Sequence, residues 1–147
     1  MICSIYAIAK KNPDFAPLLA QQQRACQQFK ATLEIVDIFP KALTNSSNAK
    51  SLYSKALSPY LKPSIPAYAL HPAGKTYDSQ EFSQILSTHA HVQFFIAGAF
   101  GFEKEFLTRC TPLSLSPLTF SHEMAKLVLC EQIFRALSLL NNHPYHK

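Results

Sequence analysis

What most constrains this chain is an alternation. Apolar runs too short for helices take turns with segments whose apolar residues recur every three or four positions. Ile2 to Ala9 reads as a strand, and Leu33, Ile35, Val36 and Ile38 form a second that Pro40 ends. Ile65 to Leu70 is a third, in which Pro66 requires a strand start or an edge because it has no N–H for a ladder. Val92 to Ala97 is a continuously apolar fourth strand, and Leu113 with Leu115 marks a short fifth. Helices lie between them. Asn12-Pro13-Asp14 opens one whose buried face carries Phe15, Leu18, Leu19, Ala25, Cys26 and Phe29. A loop and cap over Thr44–Asn48 leads into another with Ala49, Leu52, Tyr53 and Leu57 on one side. Asp78 caps a third, with Glu81 at capping-box spacing and Phe82, Ile85 and Leu86 inside. The last runs from about His122 to Leu140. This rotation predicts an α/β fold, a mainly parallel sheet with helices on both faces.

By length the 147 residues form a single domain, 1–147, and 48% apolar content supplies a core and argues against disorder. The opening MICSIYAIAKK lacks a basic leader and a cleavage site and is too short to span a bilayer, so it reads as a buried strand of a cytoplasmic protein. Cys3, Cys26, Cys110 and Cys130 show no paired spacing and each lies in an apolar run, as small core residues do. The net charge is +5. No acidic residue occurs between Asp37 and Asp78, while Lys41, Lys50, Lys55, Lys62 and Lys75 do. That interval is either a solvated surface or a patch facing nucleic-acid phosphates.

Gly98 and Gly101 flank Ala99-Phe100 directly after the fourth strand, where ligands of open α/β sheets bind. A dinucleotide-binding domain would carry glycines after its first strand, but that turn is Lys10-Lys11-Asn12-Pro13. Gly74-Lys75 lacks the rest of a phosphate loop. Beyond the last helix, His143-Pro144-Tyr145-His146-Lys147 presents an aromatic, two imidazoles and a cation. Pro144 prevents helical presentation of His143 and His146, and no acid or thiol completes a ligand set, so no metal site is expected.

VQFFIAGAFGF (Val92–Phe102), SLSPLTFSH (Ser114–His122), EQIFRA (Glu131–Ala136) and the terminal HPYHK resemble the ribosomal large-subunit pseudouridine N3-methyltransferases. These are small members of the knotted, SPOUT-type S-adenosylmethionine-dependent methyltransferases; GKTYDSQEF (Gly74–Phe82) fits them too. The resemblance implies a C-terminal trefoil knot, against the usual rule of unthreaded connections. It implies S-adenosyl-L-methionine as cofactor, in a pocket of three loops: the loop after Leu70, the loop at Gly98, and Ser116, Pro117, Leu118, Thr119, Phe120 and Ser121. It also implies a homodimer, each pocket completed by the partner, with large-subunit rRNA of the assembled ribosome as substrate, and neither membrane nor metal.

Three positions depart from the family's pattern: Ala97 in the usual glycine pair, Lys126 for the usual arginine, and Phe134 for a common tyrosine. Pseudouridine N3 is an imide nitrogen that must lose its proton before it attacks a methyl group, so the site needs a proton acceptor or a cation beside the anion. Tyr145, His146 and Lys147, reaching from the partner subunit as a substrate clamp, are the candidates. Glu131 and Arg135, four apart on the last helix, should pair. Two other functions stay open: a non-catalytic RNA- or ribosome-binding module with this fold, and a knotted methyltransferase with another RNA target such as tRNA.

Overall fold

The alternation becomes one five-stranded sheet. A computed structural model describes residues 1–41 and 47–147. In chain order the elements are β1 (Ile2–Ile8), α1 (Ala16–Gln27), β2 (Thr32–Ile38), α2 (Ala49–Leu57), β3 (Ala67–Thr76), α3 (Ser79–Ser87), β4 (His91–Ile96), α4 (Lys104–Leu107), β5 (Thr111–Ser114) and α5 (His122–Leu140). A 3-10 turn, Ser58–Tyr60, extends α2. The strands lie in the order β2-β1-β4-β3-β5, and every neighbouring pair is parallel.

Both faces are covered because side chains alternate along each strand. Cys3, Ile5 and Ala7 of β1, with Val92, Phe94 and Ile96 of β4, pack against residues of α1, α3 and α5. Tyr6, Ile8, Phe95 and Ala97 take the opposite face and meet Ala49, Tyr53 and Leu57 of α2 and Phe106 of α4. Polar side chains enclosed at the sheet are satisfied: Ser4 Oγ donates to Glu34 Oε2 (2.7 Å), Gln93 Nε2 donates to the Tyr60 carbonyl (2.6 Å) and Gln93 Oε1 accepts from the Lys62 N–H (3.1 Å). Asp78 and Glu81 form the expected capping box on α3, the Asp78 carboxylate accepting from Glu81 N at 2.7 Å.

Several expectations shift. Of the Thr44–Asn48 loop, Thr44, Asn45 and Ser46 lie outside the described residues. Helix α1 begins at Ala16 rather than beside Asp14, because Asn12 Oδ1 closes a local turn on the Asp14 N–H (3.0 Å) and Pro17 sits in the first helical turn. Helix α4 was not foreseen. Strand β3 does not end at Leu70; Leu70 and Lys75 both oppose Leu113, so residues 71–74 stand out as a bulge and pairing then resumes. Gly74 makes that possible, since a Cβ there would lie 2.5 Å from the backbone N of Leu113. Pro66 immediately precedes β3, its carbonyl accepting from Gln93 N at 2.8 Å, and β3 is an interior strand rather than an edge.

Candidate active site

Parallel strands all finish at one edge of the sheet, and the backbone beyond those ends is free to meet a ligand. Beyond β4, β3 and β5 lies a cavity of about 420 Å³. Its walls are Leu70–Pro72 from the β3 bulge, Gly98–Phe102 after β4, Ser114–Phe120 after β5, and His122 and Ala125 from the first turns of α5. Among the described residues no Asp, Glu, Lys or Arg lines it, and its titratable side chains are His71 and His122. His71 Nδ1 already accepts from the Ala73 N–H at 3.1 Å.

Each wall has a local cause. After β4 the chain turns tightly, Gly98 C=O accepting from Gly101 N–H at 3.0 Å, with Gly101 at φ 77°, which glycine adopts without strain. Gly98 serves packing as well as access. A Cβ on it would fall far inside van der Waals contact with Cζ and Oη of Tyr53 and 2.9 Å from Cε1. Past β5, Ser114 Oγ donates to the Ser116 carbonyl and Ser116 Oγ accepts from Leu118 N–H, both at 3.0 Å, bending the segment into a wall. Leu118 and Phe100, 73% and 48% exposed, stand at the mouth.

The structure thus gathers Leu70, Gly98, Ser116, Pro117, Leu118, Thr119 and Phe120 around one space. Ser121 does not join them; it is the N-cap of α5, its hydroxyl accepting from Met124 N–H at 3.4 Å. His71, His122 and Ala125 line the cavity without having been singled out. His122 was legible as the residue following the cap, but Tyr53 behind Gly98 had no local signal.

Tyr145, His146 and Lys147 lie elsewhere. Helix α5 starts at the cavity and continues for 19 residues, about 27 Å at 1.5 Å per residue, before the tail begins. Asn142 at φ 52° closes the helix, and His143 N–H donates to the Ser138 carbonyl at 2.9 Å. The tail then folds back on α5. Tyr145 sets its ring edge-on to Phe134 (centroids 4.6 Å apart) and donates its hydroxyl to Glu131 Oε1 (3.1 Å). Arg135 Nη2 and Nε donate to the same oxygen at 2.7 and 3.0 Å, the expected i,i+4 pair. The guanidinium carbon lies 4.8 Å from the Tyr145 ring centroid and Nη1 3.4 Å from His146 Nδ1. Desolvation, then the bond to Glu131, raise the Tyr145 phenol above its ordinary pKa, so it is held protonated, a donor rather than a base.

Lys126, 1% exposed, bonds Asp37 Oδ1 of β2 at 2.7 Å and Glu123 Oε1 at 3.2 Å. Its charge is consumed within the fold, tying α5 to the far side of the sheet. Nor do the lysines between Asp37 and Asp78 make one patch. Lys62, with Arg109, lines a cleft at the starts of β3 and β5, the edge opposite the cavity, and Lys55 shares a second cleft with Glu103, Glu105 and Arg109. Burial pushes the thiols of Cys3 and Cys130 up to about 12 and those of Cys26 and Cys110 to about 11, which leaves them inert. Among the described residues no cluster of metal-ligating side chains occurs, and no helix is long and apolar enough to cross a membrane.

Comparison with known proteins now has a geometry to meet. A family model described as "Predicted SPOUT methyltransferase" matches residues 1–146. The chain is 49% identical, over the full length of both, to "Ribosomal RNA large subunit methyltransferase H" of Helicobacter pylori strain Shi470. It is similarly 49% identical to the protein of that name in Helicobacter acinonychis strain Sheeba and 44% identical to that of Helicobacter hepaticus, again over both full lengths.

Proposed function

This chain belongs to the SPOUT methyltransferase family, and on that premise we propose that it transfers a methyl group from S-adenosylmethionine to N3 of a pseudouridine in large-subunit rRNA. It does so as a cytoplasmic homodimer acting on the assembled ribosome. The observation that carries this reading is the convergence of three loops, those after β3 residue Leu70, after β4 and after β5, on one cavity at the sheet's C-terminal edge. The names of the full-length relatives support the substrate class.

The cavity suits the cofactor. Its volume of about 420 Å³ falls within the range of small-molecule pockets. With no charged side chain on its walls, recognition falls to backbone N–H and C=O groups and to the hydroxyls of Ser114, Ser116 and Thr119. When bound, the cofactor supplies an electrophilic methyl on a sulfonium. The protein's task is then to hold the acceptor nitrogen in line and to manage its proton. Among the described residues the walls offer two imidazoles, His71 and His122, for that second task. His146 and Lys147 carry the remaining chemistry, but their tail folds back against Glu131 and Arg135, about 14–20 Å along α5 from the cavity end of the helix. A second copy brings its tail to the first copy's cavity, so the working site is shared between subunits. In that arrangement the Glu131–Arg135 pair and the Phe134 ring present Tyr145 as donor and keep His146 and Lys147 at the substrate's uracil ring.

The knot belongs to the same reading. Its support is the course of α5, which leaves β5 at one side of the sheet and crosses back to anchor Lys126 on Asp37 of β2 at the other. The test is methyl transfer from labelled S-adenosylmethionine to ribosomes of a strain lacking the gene, followed by mapping of the label. Label on one pseudouridine of large-subunit rRNA is expected. Cofactor binding without transfer would favour a non-catalytic module, and label on tRNA would redirect the substrate.

A further inference from the structure

The cavity occupies only the β4-β3-β5 part of the C-terminal edge. The rest of that edge belongs to β1 and β2, where Lys10 and Lys11 follow β1, and Phe39 and Lys41 follow β2. The two loops are tied together, Ala9 N–H donating to the Ile38 carbonyl at 3.0 Å. Lys10 Nζ lies 4.6 Å from the centroid of Phe39, a ring left 43% exposed. Lys50 is exposed on α2, one helical turn from Tyr53, the side chain packed on Gly98. Since β1 neighbours β4, the loops after β1 and β2 stand one and two strand spacings, about 5 and 10 Å, from the strand that carries the cavity wall. Four ammonium groups share this rim with Asp14 and with the Asp37–Lys126–Glu123 cluster, whose two carboxylates and one ammonium leave a single negative charge, so the cations remain in excess.

Exposed ammonium groups interleaved with an exposed aromatic ring match the chemistry of single-stranded RNA, whose phosphates pair with the cations while an unstacked base lies on the ring. We propose that Lys10, Lys11, Phe39, Lys41 and Lys50 form an RNA-docking rim. It takes the phosphates and one unstacked base of the strand flanking the nucleotide whose base enters the cavity. The inference rests on the RNA-methyltransferase reading above and gives it an orientation: the strand runs from the cavity toward β2, not toward the Lys62–Arg109 cleft at the opposite edge.

The experiment compares two triple variants of the full chain, Lys10→Gln/Lys11→Gln/Lys41→Gln on the rim and Lys55→Gln/Lys62→Gln/Arg109→Gln at the opposite edge, with Phe39→Ala alongside. Affinity for large ribosomal subunits and for a single-stranded oligouridine is measured over a salt series, and cofactor binding by calorimetry. The rim variant should bind both RNAs on the order of tenfold more weakly, with its log–log salt slope shallower by about 2–3, as expected for three lost phosphate contacts. Phe39→Ala should weaken oligouridine without changing the slope. The opposite-edge variant should match wild type, and cofactor affinity should be unchanged in all three. Wild-type affinity and slope in a folded rim variant would overturn the rim alone, as would an equal loss in the opposite-edge variant. Wild-type protein that neither binds nor methylates ribosomal subunits would overturn the underlying reading, and the rim with it.

Discussion

Gly98 is the position at which packing and cofactor binding make separable demands, and Gly98→Ala tests the packing. The added Cβ would sit 2.9 Å from Tyr53 Cε1 and closer still to Cζ and Oη. Carbon atoms rest at about 3.5–4.0 Å, so the ring must retreat by roughly 1 Å. Tyr53 is 2% exposed and belongs to the buried cluster of Phe95, Ala97 and Phe102. Overpacking of this kind costs about 1–3 kcal/mol. For a domain near this size that lowers Tm by roughly 2–12 °C. Gly98→Val should fall at or beyond the upper end, so it is not a fold-neutral probe of the cofactor site. Tyr53→Leu removes the obstacle and, alone, costs about 2–5 kcal/mol for the lost packing. Combined with Gly98→Ala it should be less harmful than the sum, with a coupling of about 0.5–3 kcal/mol. Urea denaturation of the four proteins, with calorimetric titration of S-adenosylmethionine into each, measures both demands. If Gly98→Ala unfolds like wild type and the pair is additive, Tyr53 does not fix the glycine.

Deleting Tyr145–Lys147 should lower methyl transfer by about 10²–10³ while shifting Tm by only a few degrees, since Tyr145 is 41% exposed and the three residues add little buried area. Tyr145→Phe should leave the pH–rate profile unchanged, because the phenol is held protonated beyond its ordinary value of 10.0; loss of an inflection would show that it titrates in the reaction. Lys126→Met should cost about 3–5 kcal/mol in urea melts by stranding Asp37 and Glu123, and salt should affect wild-type stability little because the pair is enclosed. Folding raises the thiol pKa values from 9.0, so the folded chain keeps protons that the unfolded chain releases above that pH. Stability should therefore be intact below about pH 9 and decline toward pH 11–12, and native protein at pH 8 should resist iodoacetamide, as mass spectrometry would show.

The sheet was legible because its information is periodic and local: Val92–Ala97 admits one interpretation, and Asp78-x-x-Glu81 caps a helix wherever it occurs. Strand β3 was not, because Pro72 and Gly74 read as a loop, and only the backbone of Leu113 across the ladder shows pairing resuming at Lys75. Four-residue α4 is too short for a period to register. The cavity's walls were legible through the family resemblance, but the partition of roles was not. Ser121 looks like its neighbours in sequence, yet the helix start takes its hydroxyl. Lysines adjacent in sequence part to opposite edges because α2 runs from one edge of the sheet to the other. The rim groups Lys10 with Phe39, residues that only the parallel pairing of β1 and β2 brings together.

The central claim is that one subunit's cavity works with its partner's tail, and a mixed dimer tests it most directly. One subunit would carry Ala99→Trp, which fills the cavity from an exposed wall residue away from Tyr53, and the other would lack Tyr145–Lys147. Each homodimer should be inactive toward ribosomes. The purified mixed dimer, which keeps one open cavity facing one intact tail, should recover about half of wild-type activity. A mixed dimer that assembles and binds cofactor yet stays at the background of its parents would contradict the account.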